Sequence, residues 1–253
     1  MRTLGWFLGL LALAYVAICI AIWSYQRSLI YFPQPRSVTA ADNTLRLKVS
    51  GADLVVTVRA GKGPKALIYF GGNGEDASWN LPALSQAFPD HAIYLLHYRG
   101  YGGSTGNPSE ADISEDALAL YDKVHAMHPQ VLLVGRSLGS GVATRLASRR
   151  PVERLVLITP YDSIRALAES QFPWLPVRWL LRDSYESDSY APAVTAPTLL
   201  IEAENDEIIP SASTRRLLAA FRPGVASLKV VAGAGHNTIS EARGYMALLQ
   251  GQP

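Results

Sequence analysis

The glycine-flanked serine in Gly135-Arg136-Ser137-Leu138-Gly139 is the residue of this chain best placed for covalent chemistry. The apolar run Val131-Leu132-Leu133-Val134 enters it with the length and β-branched content of a buried strand. Ser140, Gly141, Val142, Ala143 and Leu146 leave it as a helix with a small-residue face. A strand passing straight into a helix forces a sharp turn whose apex residue is strained. Gly135 and Gly139 flank that apex because a Cβ there would collide with the neighbouring strand or helix. The turn holds the Ser137 hydroxyl out of the sheet, with a helix N-terminus behind it. A bare G-x-S-x-G pattern is common by chance, and Ser137 would then be a turn serine. The strand before it and the helix after it favour a nucleophile.

A serine hydroxyl is inert near neutral pH until a base takes its proton, so partners must lie elsewhere in the chain. The strand-like Ser227-Leu228-Lys229-Val230-Val231 ends in Ala232-Gly233-Ala234-Gly235-His236-Asn237. A histidine behind a glycine-rich turn, after the last strand, can swing over the nucleophile. Of the other histidines, His91, His125 and His128 lie in polar stretches and are expected to be solvated. His97 ends a strand and is the other candidate. Order and placement favour His236 as the base.

The carboxylate is expected after the strand Pro197-Thr198-Leu199-Leu200-Ile201, where Glu202-Ala203-Glu204-Asn205-Asp206-Glu207-Ile208-Ile209-Pro210 follows. Asp206 is preferred over Glu204 because Ile208, Ile209 and Pro210 pack the loop immediately beyond it. The plainer alternative is a solvated loop that puts negative charge at the start of the next helix.

Upstream, the strand Lys65-Ala66-Leu67-Ile68-Tyr69-Phe70 runs into Gly71-Gly72-Asn73-Gly74. Glycines there let backbone N–H groups approach a ligand, and the amides of Asn73 and Leu138 are the expected oxyanion donors. Such donors act where negative charge develops in an acyl-transfer transition state. A nucleotide loop is the rival reading, but no G-x-G-x-x-G or G-K-[ST] spacing opens a helix here.

Taken together, these segments resemble the α/β-hydrolases, and within them the small serine hydrolases with an N-terminal membrane anchor, which include protein depalmitoylases and lipid hydrolases. The likeness runs from residue 29 to the C-terminus. It rests on the strand with Gly71-Gly72-Asn73-Gly74-Glu75, on Tyr98-Arg99-Gly100-Tyr101-Gly102-Gly103-Ser104-Thr105-Gly106, on Pro108-Ser109-Glu110, on the Ser137 turn and on Gly235-His236-Asn237. The order serine, acid, histidine is that family's order. Two departures stand out. The family usually has histidine-glycine where this chain has Gly71-Gly72, and that histidine braces the oxyanion loop. His97 replaces what is commonly an acidic or neutral polar residue. The Arg-Gly-Tyr-Gly turn is read as loop shaping, with Arg99 pairing a carboxylate, and Pro108-Ser109-Glu110 as a helix cap.

The elements that must position these residues alternate along the chain, which predicts a mainly parallel sheet flanked by helices. Residues 46–59 read as an antiparallel pair broken at Gly51. Further strands are expected over 92–97, 131–134, 155–158, 198–201 and 228–231, and helices over 113–126, 138–149, 212–221 and 238–250. Between Pro160 and Pro197 the pattern changes to Phe172-Pro173-Trp174-Leu175-Pro176-Val177-Arg178-Trp179-Leu180-Leu181. This reads as a short cap, about residues 161–196, whose apolar face either covers an acyl pocket or packs on the body.

With 253 residues the chain is long enough for one such domain and an appendage. Its apolar content is 49%, and the excess lies at the amino end. Residues 4–23 carry no charge, enough helix to cross a bilayer. Trp6, Tyr15, Trp23 and Tyr25 put aromatics near both ends. The run is longer than the core of a signal peptide and no small-x-small cleavage site follows, so residues 1–28 are expected to be an uncleaved anchor, touching lipid through residues 4–25. Residues 29–253 would be the catalytic domain. Arg2 on one side is balanced by Arg27 and Arg36 on the other, so charge assigns no orientation.

The single cysteine, Cys19, excludes an internal disulfide and reads as an apolar residue of the anchor, with palmitoylation a lesser reading. Net charge is +2, without a basic stripe, which argues against a nucleic-acid partner. No metal-ligand spacing occurs, and no cofactor or metal is expected. The expected activity is hydrolysis of an ester or thioester by Ser137, His236 and Asp206. The alternatives are an aminopeptidase-like serine peptidase and a non-catalytic membrane scaffold, against which the triad order argues. Oligomeric state is left open.

Overall fold

Short Val-, Ile- and Leu-rich runs pair into one sheet whose middle strands are buried on both faces, as a parallel sheet requires. In the computed structural model, which describes residues 2–37 and 43–251, the strands are β1 (Thr44–Val49), β2 (Ala52–Arg59), β3 (Lys65–Phe70), β4 (Ala92–Leu96), β5 (Gln130–Arg136), β6 (Arg154–Ile158), β7 (Thr198–Ala203) and β8 (Ala226–Val231). Met1 of the expected anchor, and residues 38–42, 252 and 253 of the expected catalytic domain, lie outside the described residues. The strand order is β1-β2-β4-β3-β5-β6-β7-β8. The β1–β2 and β2–β4 pairs are antiparallel, and every other pair is parallel. Gly51, at φ 76, makes the tight turn of the first hairpin, where Val49 pairs with Ala52.

Alternate residues of each central strand face opposite ways, so two apolar layers form. Ile68, Phe70 and Leu133 pack under α3 (Glu110–His125) and α4 (Leu138–Ala147), against Ile113, Leu120, Val142 and Leu146. Leu67, Tyr69, Leu132 and Val134 pack under α2 (Leu81–Ala87) and α9 (Tyr245–Gln250), against Leu84 and Leu249. Burying one such side chain contributes about 1.5–3 kcal/mol. Chain direction away from the starting strand reverses between β3 and β5, and open α/β sheets form their sites at the carboxyl ends of strands at such a reversal. Here the register Phe70 to Gly135 puts the Gly71 loop beside Ser137.

The expected strands are found within one or two residues of their expected limits; two other expectations need correction, and one helix is additional. Residues 238–250 do not form one helix: a short turn over Ile239–Glu241 is separated from α9 by Gly244, whose φ of 82 is left-handed. Helix α2 was not expected; it follows a turn over Ala77–Asn80 capped by the Asp76 side chain. His128 is not solvated. It is buried, with Nε2 3.1 Å from Tyr94 Oη and Nδ1 2.8 Å from the Gly63 carbonyl.

The amino-terminal helix α1 runs unbroken over Arg2–Ile30, past the expected boundary at residue 28. It is long and apolar enough to cross a membrane, and its most apolar stretch is not buried against the rest of the chain. Its last turns pack on the cap, which contains α5 (Ile164–Gln171), α6 (Val177–Leu180) and α7 (Ser187–Tyr190). Arg27 and the Tyr31 hydroxyl both bond the buried Asp183 carboxylate. Ser211–Ala220 forms α8, between β7 and β8.

Candidate active site

At the end of β5 the chain turns into α4 through Ser137, whose φ of 49 and ψ of −117 lie outside the regions a side chain favours. Such backbone costs about 1–3 kcal/mol and persists only where its surroundings enforce it. The Ser137 amide donates to the Ile158 carbonyl at 2.9 Å, and Ser140 Oγ donates to the Ser137 carbonyl at 2.7 Å. A Cβ at Gly135 would collide with the Gly139 carbonyl, and one at Gly139 with the Phe70 and Gly71 carbonyls. Both glycines are therefore required for α4 to sit this close to β3 and β5.

Two loops from the far end of the sheet complete a line of polar side chains. His236 Nε2 lies 3.0 Å from Ser137 Oγ, and His236 Nδ1 lies 2.9 and 3.0 Å from the two Asp206 oxygens. A carboxylate only accepts, so Nδ1 carries the proton and Nε2 of the neutral ring is free to accept from the serine. Burial works to raise the Asp206 carboxyl. The bonds from His236 and from the amides of Ile209 and Ile208 outweigh it and hold the carboxyl below its ordinary value. Glu207 accepts from the His236 amide at 3.1 Å, which fixes the histidine's own backbone. Glu204, the rival acid, instead accepts from the Gly233 amide and does not reach the ring.

The Gly71-Gly72 loop is braced by a residue that the sequence reading named only as part of a motif. Glu75 Oε2 accepts from the Gly72 amide at 2.7 Å and lies 3.1 Å from Arg136 Nη1. Its other oxygen accepts from Tyr69 Oη and Asn80 Nδ2. A Cβ at Gly71 would stand 3.4 Å from the Glu75 carboxyl carbon, so the carboxylate fills the room a side chain at 71 would need. A Cβ at Gly72 would press on Glu75 Oε2 at 3.3 Å and would touch Ser137 Cβ in ordinary contact at 3.7 Å. The Asn73 carbonyl accepts from Tyr101 Oη and from the Phe32 amide. Among the described residues no protein acceptor meets the amide of Asn73 or of Leu138. The latter opens α4, where helix amides are unpaired and the dipole favours negative charge.

Ser137, His236, Asn73 and Leu138 all line one cleft of about 1080 Å³, just above the usual range for ligand sites. Leu167, Phe172, Leu175 and Leu180 of the cap line it too, so the cap turns apolar side chains toward the serine. His97 is elsewhere, buried, with Nε2 2.8 Å from Thr57 Oγ1. Burial, with Arg36 adding and Asp76 opposing, lowers its ring to about 4. Arg99 makes two 2.8 Å bonds to Asp116 and shapes its turn from there. Ser109 caps α3 through the Asp112 amide.

Residues 70–191 match the Alpha/beta hydrolase family. An uncharacterized protein of Mycobacterium tuberculosis, Rv2307c, is 34% identical over 247 residues, which is 90% of this chain and 86% of that protein. The lysophosphatidylserine lipase ABHD12 of Danio rerio is 32% identical over 168 residues, 57% of this chain and 44% of the lipase. The chain thus spans about half the length of the lipases it matches. Among solved structures, alpha/beta hydrolase domain-containing protein 10 from mouse superimposes with a TM-score of 0.63 at 19% identity, covering 81% of this chain and 94% of that one. That likeness is one of fold.

Proposed function

The chain belongs to the α/β-hydrolase superfamily, and on that premise we propose that it is a serine hydrolase cleaving carboxylic ester or thioester bonds of acyl lipids or acylated proteins. The single observation that carries this reading is the line Ser137 Oγ, His236 Nε2, His236 Nδ1, Asp206, with every step at 2.9 or 3.0 Å. Ser137 Oγ attacks the acyl carbonyl while His236 Nε2 takes its proton, and Asp206 holds the ring in the required tautomer. The amides of Asn73 and Leu138 donate to the oxyanion of the tetrahedral intermediate. His236 then returns the proton to the leaving alcohol or thiol. A water deprotonated by the same nitrogen frees the acid from the acyl-enzyme.

The substrate class is supported by the apolar cap side chains that line the cleft and by likeness to a lysophosphatidylserine lipase. Helix α1 serves as the membrane anchor in this reading, consistent with its length and its unburied apolar stretch. The test is to incubate the full chain with a membrane lipid extract, an acyl-thioester panel and a peptide panel, and to identify products by mass spectrometry. Fatty acid released from lipids or thioesters is the expected result. Release of amino acids from the peptides, with no fatty acid, would contradict it.

A further inference from the structure

One wall of the Ser137 cleft is the amino-terminal helix. Ile22, Leu29 and Ile30 of α1 line the same cleft as Leu175, Leu180 and Leu181 of the cap. Polar bonds hold the two walls together. The buried Gln26 side chain accepts from the Arg182 amide at 2.7 Å and donates to the Leu180 carbonyl at 2.9 Å. Farther along, Tyr15 Oη donates to the Trp174 carbonyl at 2.9 Å. Tyr15 and Gln26 are eleven residues apart, so the cap follows α1 for about 16 Å at 1.5 Å per residue. At the other end α1 runs into the oxyanion loop, where Asn73 Nδ2 donates to the Ile30 carbonyl at 3.0 Å. The charged residues lining the cleft, Glu75, Asp76, Arg136 and Glu207, belong to the loops around Ser137 and His236; the α1 and cap residues that line it carry no charge.

We propose that the part of this cleft between α1 and the cap, its arm, is the acyl-chain site, taking the hydrocarbon chain of an ester amphiphile, with the membrane-anchor helix as part of the binding site as well as the tether. The proposal rests on Ser137 acting as the nucleophile of an acyl hydrolase. The chain's carbonyl lies at Ser137 and its methylenes run along Ile30, Leu29 and Ile22 on one side and Leu181, Leu180 and Leu175 on the other. Such an arm has nothing to offer a short acyl group beyond the first few carbons. The longer chain gains about fourfold in affinity per buried methylene.

The test uses the full-length protein in lipid nanodiscs and compares kcat/KM for p-nitrophenyl palmitate with that for p-nitrophenyl butyrate. Ile22→Trp narrows the arm, and Leu29→Gln places a polar group in it on an exposed helix position that tolerates the change. In each variant the palmitate-to-butyrate ratio is expected to fall about tenfold or more, the equivalent of losing roughly two buried methylenes. A ratio within twofold of the parent in both variants, with Ser137 still labelled by a fluorophosphonate, overturns the acyl site and leaves the hydrolase reading intact. A parent protein that is neither labelled at Ser137 nor active on either ester overturns both.

Discussion

Arg136 Nη1 lies 3.1 Å from Glu75 Oε2, and its Nη2 lies 3.3 Å from the His236 carbonyl. One guanidinium next to the candidate nucleophile thereby joins the Gly71-Gly72 loop to the histidine loop. Both side chains are mostly buried, at 16% and 14% exposure. Removing one charge from such a pair leaves the other uncompensated. Glu75 thus ties the Gly72 amide to Arg136 through one carboxylate oxygen.

Glu75→Gln is expected to lower kcat on a short ester about tenfold, or roughly 1.4 kcal/mol of transition-state stabilisation, with KM changed less than twofold. Glu75→Ala should cost more, because it also releases Tyr69 and Asn80. Steady-state kinetics on folded protein checks this. An unchanged kcat in a merely less stable protein would limit Glu75 to a structural role.

Asp206→Asn should lower kcat by about 10³ to 10⁴, since an amide no longer enforces the productive histidine tautomer. Glu204→Gln, whose carboxylate serves the Gly233 amide, should stay within a few-fold of the parent. The Asp206 carboxyl is held below its ordinary value and stays ionised well into acid. Protonation of Asp206 therefore does not set the kcat/KM profile near neutral pH. A larger loss from Glu204→Gln than from Asp206→Asn would contradict the assignment.

His97 carries a stability prediction. Its ring titrates near 4 in the fold and at about 6.5 in an unfolded chain. Between those values the unfolded chain binds more protons, so stability rises with pH across this window. The contribution is complete above about pH 6.5 and is lost as pH falls toward 4. The displacement from 6.5 to about 4 corresponds to roughly 3 kcal/mol. His97→Gln, which retains a partner for Thr57, should flatten the melting temperature between pH 6.5 and 4. An unchanged slope would mean that the ring is not the source.

Asp183 is 2% exposed and is held by Arg27 and Tyr31. Full-length protein should stay with membranes through high-salt and carbonate washes. A chain beginning at Leu29 should leave them and still hydrolyse short esters, but melt lower because Arg27 and Gln26 are gone. Asp183→Asn in that shorter chain should recover part of the loss by removing an uncompensated buried charge. A melting temperature equal to that of the full chain would show that the helix contributes nothing to the cap.

Features carried by local pattern were legible in the sequence. The run Val131 to Val134, the glycines around Ser137 and the helix after it are neighbours, so sterics alone predicts the turn. The post-strand positions of Asp206 and His236 follow from the alternation of strands and helices, and the structure brings His236 beside Ser137 and Asp206 against the other side of its ring. What escaped depends on distant contacts. Arg136 and Glu75 are 61 residues apart, and no spacing rule links them. The polar stretch around His128 hid its burial, because its partners Tyr94 and Gly63 come from other parts of the chain. Helix α2 has only seven residues, too few for helical periodicity to show. Residues 238–250 kept an apolar period across Gly244, and the left-handed glycine broke the helix that period implied. The role of α1 as a cleft wall depends on how the cap folds back on it, which composition does not encode.

The most direct measurement is fluorophosphonate labelling and p-nitrophenyl butyrate hydrolysis by purified Ser137→Ala beside the parent protein. The account predicts that the variant folds, takes no label, and loses about 10⁴ to 10⁶ in kcat, the usual cost of removing a triad nucleophile. A folded variant that takes the label or keeps more than about a tenth of the parent's activity, set against that expected loss, would contradict the assignment of Ser137 as nucleophile.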